Sequence, residues 1–310
     1  MGRDRGEDSG GSVSLRARLL CGWLRQTEKR WIARASEPEP LRRHMEQSAR
    51  VFFHPPPGVR FADITLGASL AATRVTPQGM RPGPLILYLH GGGYIFGSPR
   101  THRAMVAHLA VRARLGAVLP RYRLAPEHAF PAAPEDALVA YRAVVDHPGG
   151  VILGGDSAGG GLALALLAQI GALGLRQPLG TFCFSPLTDM AFSGPSFVTN
   201  AKADPLLPAH RAADMAKMYL QGADAEDPRA SPLYADFSGA GPVWLTAADT
   251  EILLDDTIRI AEHLTAQEVD VTRIIERGLP HVWPLMHGLL PQAHQTLAGL
   301  ARWINSLAGP

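Results

Sequence analysis

Apolar residues recur at helical spacing from Leu15 onward, at Leu15, Leu19, Leu20, Trp23, Leu24 and Trp31. That period predicts an amphipathic helix with a surface to cover. A second short helix is expected from Leu41 to Phe53, where Pro55-Pro56-Pro57-Gly58 stops it. From Val59 the pattern changes to short, nearly continuous apolar runs. Strands are predicted at residues 70–75, 85–89, 117–120, 151–153, 181–184, 243–245 and 271–275. Helix-length segments lie between most of them, at 103–115, 134–146, 158–173, 255–267 and 290–307. Wholly apolar strands alternating with helices predict an α/β chain with a mostly parallel sheet, covered on both faces. Residues 191–241 break the alternation. They are rich in Pro, Asp and Ala, helical over 209–219, and expected to pack with the N-terminal helices over the sheet's carboxyl edge. The polar, Gly-rich first ten or so residues are expected to be disordered.

Composition narrows the class. The chain has 310 residues, 46% hydrophobic and 19% charged, which suits one globular α/β domain with inserted elements. A net charge of +2 gives no reason to expect a nucleic-acid partner. The excess is uneven: residues 1–50 hold 11 Lys/Arg against 7 Asp/Glu. A membrane-attracted N-terminus and a solvated helix face both fit that bias, and the second is the simpler reading. Only Cys21 and Cys183 occur, so neither a disulfide framework nor a metal-ligand spacing is available, and no metal is expected. The apolar patch 19–24 is far too short for stable membrane insertion or a signal segment, so a cytoplasmic location is the default.

The strongest chemical signal is the apolar strand Val151-Ile152-Leu153 running through Gly154-Gly155-Asp156 into Ser157-Ala158-Gly159, with an apolar helix directly behind. Gly155 and Gly159 flank Ser157 as G-x-S-x-G. A strand that turns at once into a helix strains the residue at the bend and needs small neighbours. The bend exposes the hydroxyl at a helix N-terminus, where the dipole and the Ala158 N–H favour a developing oxyanion. A phosphate loop would need other glycine spacing and a later acidic residue. Upstream, the strand at 85–89 ends in His90-Gly91-Gly92-Gly93. Bare backbone there offers Gly92 and Gly93 N–H as further oxyanion donors, with Gly91 shaping the loop and His90 orienting it.

These pieces, with Tyr122-Arg123-Leu124-Ala125-Pro126-Glu127-His128, Phe130-Pro131-Ala132-Ala133 and Glu135-Asp136, resemble the hormone-sensitive-lipase-like group of bacterial esterases within the α/β-hydrolases. The resemblance extends from about residue 60 to the C-terminus. It implies the α/β-hydrolase fold, a central eight-stranded mostly parallel sheet flanked by helices, with a helical cap. The cap would comprise about residues 10–55 and 190–235, over a catalytic core of 56–189 and 236–310. It also implies hydrolysis of short-to-medium acyl esters of small molecules, without a cofactor. Arg123, Glu127 and Asp156 would brace the active-site loops.

In this fold the chain order is serine, acid, histidine. Among 12 histidines, His281 follows the last predicted strand and precedes the closing helix, where the base belongs. His287 and His294 fall in or beside that helix and read as packing or surface residues. Two acids compete. Glu251 takes the family's acid position in a gapless alignment, replacing the usual Asp, 30 residues before His281. Asp249 is nearer the strand end and has the usual side-chain length. Asp255 and Asp256 suit the first turn of the next helix. Trp23, Trp31, Met215, Met218 and Tyr219 are candidates to line an acyl pocket or simply to pack within the cap. An amidase or deacetylase using the same residues, and a non-catalytic ligand receptor on this fold, remain open, as does a homodimer.

Overall fold

A computed structural model describes residues 4–8, 13–35 and 37–307. Nine strands form one sheet: β1 (Asp4–Asp8), β2 (Val59–Leu66), β3 (Leu70–Pro77), β4 (Leu85–Leu89), β5 (Ala117–Pro120), β6 (Val151–Asp156), β7 (Gly180–Phe184), β8 (Val243–Ala248) and β9 (Val271–Glu276). Their spatial order is β1-β9-β8-β7-β6-β4-β5-β3-β2. The eight strands from β2 to β9 make the expected mostly parallel sheet, antiparallel only where β3 meets β2 and β5. The expectation of a disordered start is overturned for residues 4–8, because β1 adds to the free edge of β9 in parallel register, Asp4 opposite Val271. An open sheet edge offers unpaired backbone groups, and pairing with them requires no apolar pattern. The other residues of that expectation lie outside the described ones.

The helices are α1 (Leu15–Gln26), α2 (Glu28–Arg34), α3 (Pro38–Phe52), α4 (Pro99–Ala113), α5 (Ala132–Val144), α6 (Ala158–Ala172), α7 (Ser196–Thr199), α8 (Ala212–Leu220), α9 (Leu254–Ala266) and α10 (Pro291–Leu307). One core layer lies between the sheet and α5, α6 and α9, with Leu87, Leu153, Leu164 and Ile260 at its centre. The other lies beneath α4 and α10 around Tyr88, Phe182, Leu109 and Leu300. The central strands are therefore buried on both faces, which is why they are apolar throughout.

Several boundaries move for local reasons. The first predicted helix divides at Thr27, whose φ of −110° and ψ of −80° leave the helical region. α4 begins four residues early, because Ser98 and Thr101 form a reciprocal cap ahead of Pro99.

Topology fixes where a site can form. From β4 the chain crosses to β5 on one side, and from β5 it returns to β6 on the other side of β4. The carboxyl ends of β4 and β6 thus meet at the point where strand order reverses, where open α/β sheets leave a crevice.

Candidate active site

Ser157 is the single residue between β6 and α6. Its φ of 52° and ψ of −125° lie outside the favoured regions for an L-residue, a strain of about 1–3 kcal/mol that the surrounding structure must hold. Hydrogen bonds clamp it: Ser157 N–H donates to the Phe184 carbonyl at 2.8 Å, while its own carbonyl accepts from Gly161 and Leu187. The glycine requirement is steric. A methyl at Gly159 would collide with the Leu89 and His90 carbonyls, so only a bare backbone lets α6 start so near β4.

His281 follows β9 and reaches back across the sheet edge. Its Nε2 is 2.9 Å from Ser157 Oγ, and its Nδ1 is 2.5 Å from Glu251 Oε2. The next residue, Val282, adopts φ 50°, unusual for a β-branched side chain. Glu251 is fully buried. Its Oε1 accepts from Ser185 Oγ at 2.8 Å and from Ala248 N–H at 2.6 Å. Burial pushes the His281 pKa down, but the charge and hydrogen bond of Glu251, with the charges of Asp204 and Asp156, outweigh it and leave the pKa above 6.5. Asp249 does not touch the imidazole. Its Oδ1 accepts from Gly278 N–H at 2.7 Å, and its Oδ2 faces Arg277 at 3.9 Å. Asp255 and Asp256 lie in the first turn of α9.

Gly91, Gly92 and Gly93 leave the end of β4 and line the same cavity as Ser157 and His281. Gly92 and Gly93 have φ of 122° and 58°. Ala158 is the first residue of α6, so its N–H lies among the unpaired donors of a helix start. The loop is tied down from below. Asp156 Oδ1 accepts from Gly91 N–H at 3.0 Å and from Tyr88 OH at 2.7 Å, and its Oδ2 is 3.2 Å from His102 Nε2. Burial raises the Asp156 pKa, yet His102 and these hydrogen bonds hold it below the ordinary carboxylate value. His90 stacks on Tyr122 at 4.2 Å, and its Nδ1 is 2.9 Å from the Gly91 carbonyl. Burial drives its pKa down to about 3, so it is neutral at physiological pH.

Glu127 and Arg123 lie outside this cluster. Glu127 makes a two-armed ion pair with Arg42 of α3, at 2.8 and 2.6 Å, and Arg42 Nε donates to the Ile95 carbonyl beyond the glycine loop. Arg123 holds Asp136 and Glu135 at the start of α5.

Above Ser157 opens an apolar cavity of about 230 Å³, walled by residues such as Trp31, Leu41, Ile95, Leu207, Met215 and Met218. Trp23 stands at its edge. Tyr219 does not line it, because its ring stacks on Tyr94 at 3.9 Å within the core.

Three polar residues near Glu251 carry no sequence signal of their own. Ser185 donates to its carboxylate. Asn200 Nδ2 donates to the Asp249 and Glu251 carbonyls at 3.0 and 2.9 Å. Buried Asp204 accepts from Leu206 and Leu207 N–H through Oδ1 and from Ile252 N–H through Oδ2. It thereby ties the 191–241 segment to the loop that carries Glu251.

Residues 86–285 match a family of the α/β hydrolase fold. An acetyl-hydrolase of Streptomyces hygroscopicus is 33% identical over 287 residues, covering 91% of this chain and 94% of the relative. An esterase of Acinetobacter venetianus is 32% identical, covering 87% and 89%. Among solved structures, an esterase from the bacterial hormone-sensitive lipase family superposes with a TM-score of 0.90 at 34% identity, covering 96% of this chain and all of that one. The chain belongs to the α/β-hydrolase family, in its hormone-sensitive-lipase branch. It is an ester hydrolase.

Proposed function

We propose that the chain hydrolyses short-to-medium acyl esters of small molecules by two-step acyl transfer, with Ser157 as nucleophile, His281 as base and Glu251 as supporting acid. The observation that carries this is the unbroken relay from Glu251 through His281 to Ser157, opening into an apolar cavity beside the glycine loop. His281 Nε2 takes the hydroxyl proton as Ser157 Oγ bonds to the ester carbonyl carbon. The carbonyl oxygen becomes an anion, received by the N–H groups of Gly92, Gly93 and Ala158. As the tetrahedral centre collapses, the carbon–oxygen bond to the alcohol breaks, and His281 returns the proton to that oxygen. Water then repeats the sequence on the acyl-enzyme, releasing the acid and restoring Ser157. Glu251 holds the Nδ1 proton and stabilises the imidazolium throughout.

In this reading the described residues of 10–55, which leave out 10–12 and 36, form with 190–235 a cap over the core, supported by the pocket walls that α1, α2, α3 and α8 supply. Among the described residues no helix is long and apolar enough to cross a membrane. A cytoplasmic location is part of the same proposal. Turnover of p-nitrophenyl butyrate by Ser157→Ala tests the proposal. A folded variant should be inactive, and retained activity would remove Ser157 from its role.

A further inference from the structure

Helix α1 carries two apolar stripes. One, formed by Ala17, Cys21 and Leu24, is buried against the body of the protein. The other runs along the opposite side at every fourth residue, Leu15, Leu19 and Trp23, and is 69%, 66% and 44% exposed. A helix with one core-facing stripe ordinarily turns polar residues outward; here Leu15 and Leu19 stay largely exposed, and Trp23 is only partly covered at the edge of the pocket. The outer stripe continues beyond α1. Trp23 meets Phe52 of α3 edge-on at 6.1 Å, and Phe52 and Leu289 are each 41% exposed. Trp23, Phe52 and Leu289 also line the pocket. A connected exposed apolar surface of this kind marks an interaction site.

Charge selects the partner. Residues 13–54 hold nine Arg/Lys against four Glu, whereas the whole chain nets only +2. Arg16 and Arg18 flank the stripe, and Arg25, Arg30 and Arg50 are exposed nearby. Apolar side chains bordered by cations suit a negatively charged lipid surface, where an indole sits well at the headgroup boundary. Pairing this face with a second copy of itself would set the same positive excess against itself.

We propose that the chain docks reversibly on anionic lipid surfaces through the outer stripe of α1 and the end of α3, with the pocket mouth against the layer. The docking is independent of the catalytic assignment. It is tested by flotation of the full chain with vesicles of dioleoylphosphatidylglycerol and dioleoylphosphatidylcholine, and with vesicles of the choline lipid alone. Binding should require the anionic lipid and weaken as salt is raised. The double variant Leu15→Ser/Leu19→Ser should lose roughly tenfold or more in partitioning. Arg16→Glu/Arg18→Glu should lose binding to the anionic vesicles by a similar factor. Both should turn over a soluble acetate ester within about twofold of the parent, since these positions are exposed and outside the site. The proposal fails if the parent chain does not float with anionic vesicles, or if the variants float as well as it does. It also fails if the patch variants instead dissociate a dimer in sedimentation velocity while vesicle binding is absent.

Discussion

Replacing Glu251 by Gln changes one oxygen to an amide nitrogen at almost constant shape, and the surroundings dictate which one. Oε1 accepts from the Ala248 backbone N–H at 2.6 Å, a donor that cannot reverse its role. The amide oxygen must therefore take that position, and the amide NH2 is driven toward His281 Nδ1, which lies 2.5 Å from Oε2 in the parent chain. Facing a donor, Nδ1 must become an acceptor, and the imidazole proton moves to Nε2. That nitrogen faces Ser157 Oγ at 2.9 Å and, once protonated, can no longer receive the serine proton. Loss of the correct tautomer in a triad of this kind costs roughly three to four orders of magnitude in kcat, about 4–5 kcal/mol of transition-state stabilisation. The assay is steady-state hydrolysis of p-nitrophenyl butyrate at saturating substrate, with circular dichroism to verify folding. Asp249→Asn is the internal control, because Asp249 binds Gly278 and not the imidazole, and it should cost less than about tenfold. A Glu251→Gln enzyme within about tenfold of the parent, or an equal loss in Asp249→Asn, would rule out Glu251 as the partner of the imidazole.

His281 must be neutral to accept a proton, so kcat/KM should rise with pH through an apparent pKa above 6.5, the direction in which Glu251, Asp204 and Asp156 shift it; a limb centred below 6.5 would contradict this. Asp204→Asn removes one of those charges and should move the limb to lower pH. It also sets an amide NH2 against one of three backbone donors, which should destabilise the fold by about 1–3 kcal/mol in urea unfolding. Met215→Trp fills the cavity beside Gly93 and should lower kcat/KM for octanoate esters by about tenfold or more relative to acetate; an unchanged ratio would place the acyl chain elsewhere.

How much of this was legible in the chain depends on burial. Strands β4 to β8 are covered on both faces, and their unbroken apolar runs stand out. Strand β2 does not stand out. It is an edge strand carrying Arg60 and Asp63, its side chains are half-buried or exposed until Leu66, and pairing with β3 alone shapes it. Strand β1 is less legible still, since backbone pairing with β9 defines it.

The cluster divides in the same way. Ser157 and the glycine loop belong to local motifs written in consecutive residues, and His281 is picked out by its place after the last strand and before the closing helix. Both Glu251 and Asp249 fit the sequence order, and only three-dimensional placement separates them: a turn after β8 points Glu251 inward to His281 while Asp249 reaches Gly278. Ser185, Asn200 and Asp204 come from other elements and meet Glu251 or its loop only on folding. Tyr219 has the composition of a pocket aromatic and the surroundings of a core one.

With Ser157 as nucleophile, the acyl group must pass through its Oγ in every turnover. The direct measurement is acid quenching of the enzyme during turnover of p-nitrophenyl butyrate, followed by peptide mass spectrometry. A butyryl group is expected on the peptide that spans Ser157, absent from Ser157→Ala and greatly diminished when His281 is replaced by Ala, because His281 serves both half-reactions. An active enzyme whose quenched peptide carries no acyl group on Ser157, or carries it on another residue, would exclude Ser157 as the acyl carrier.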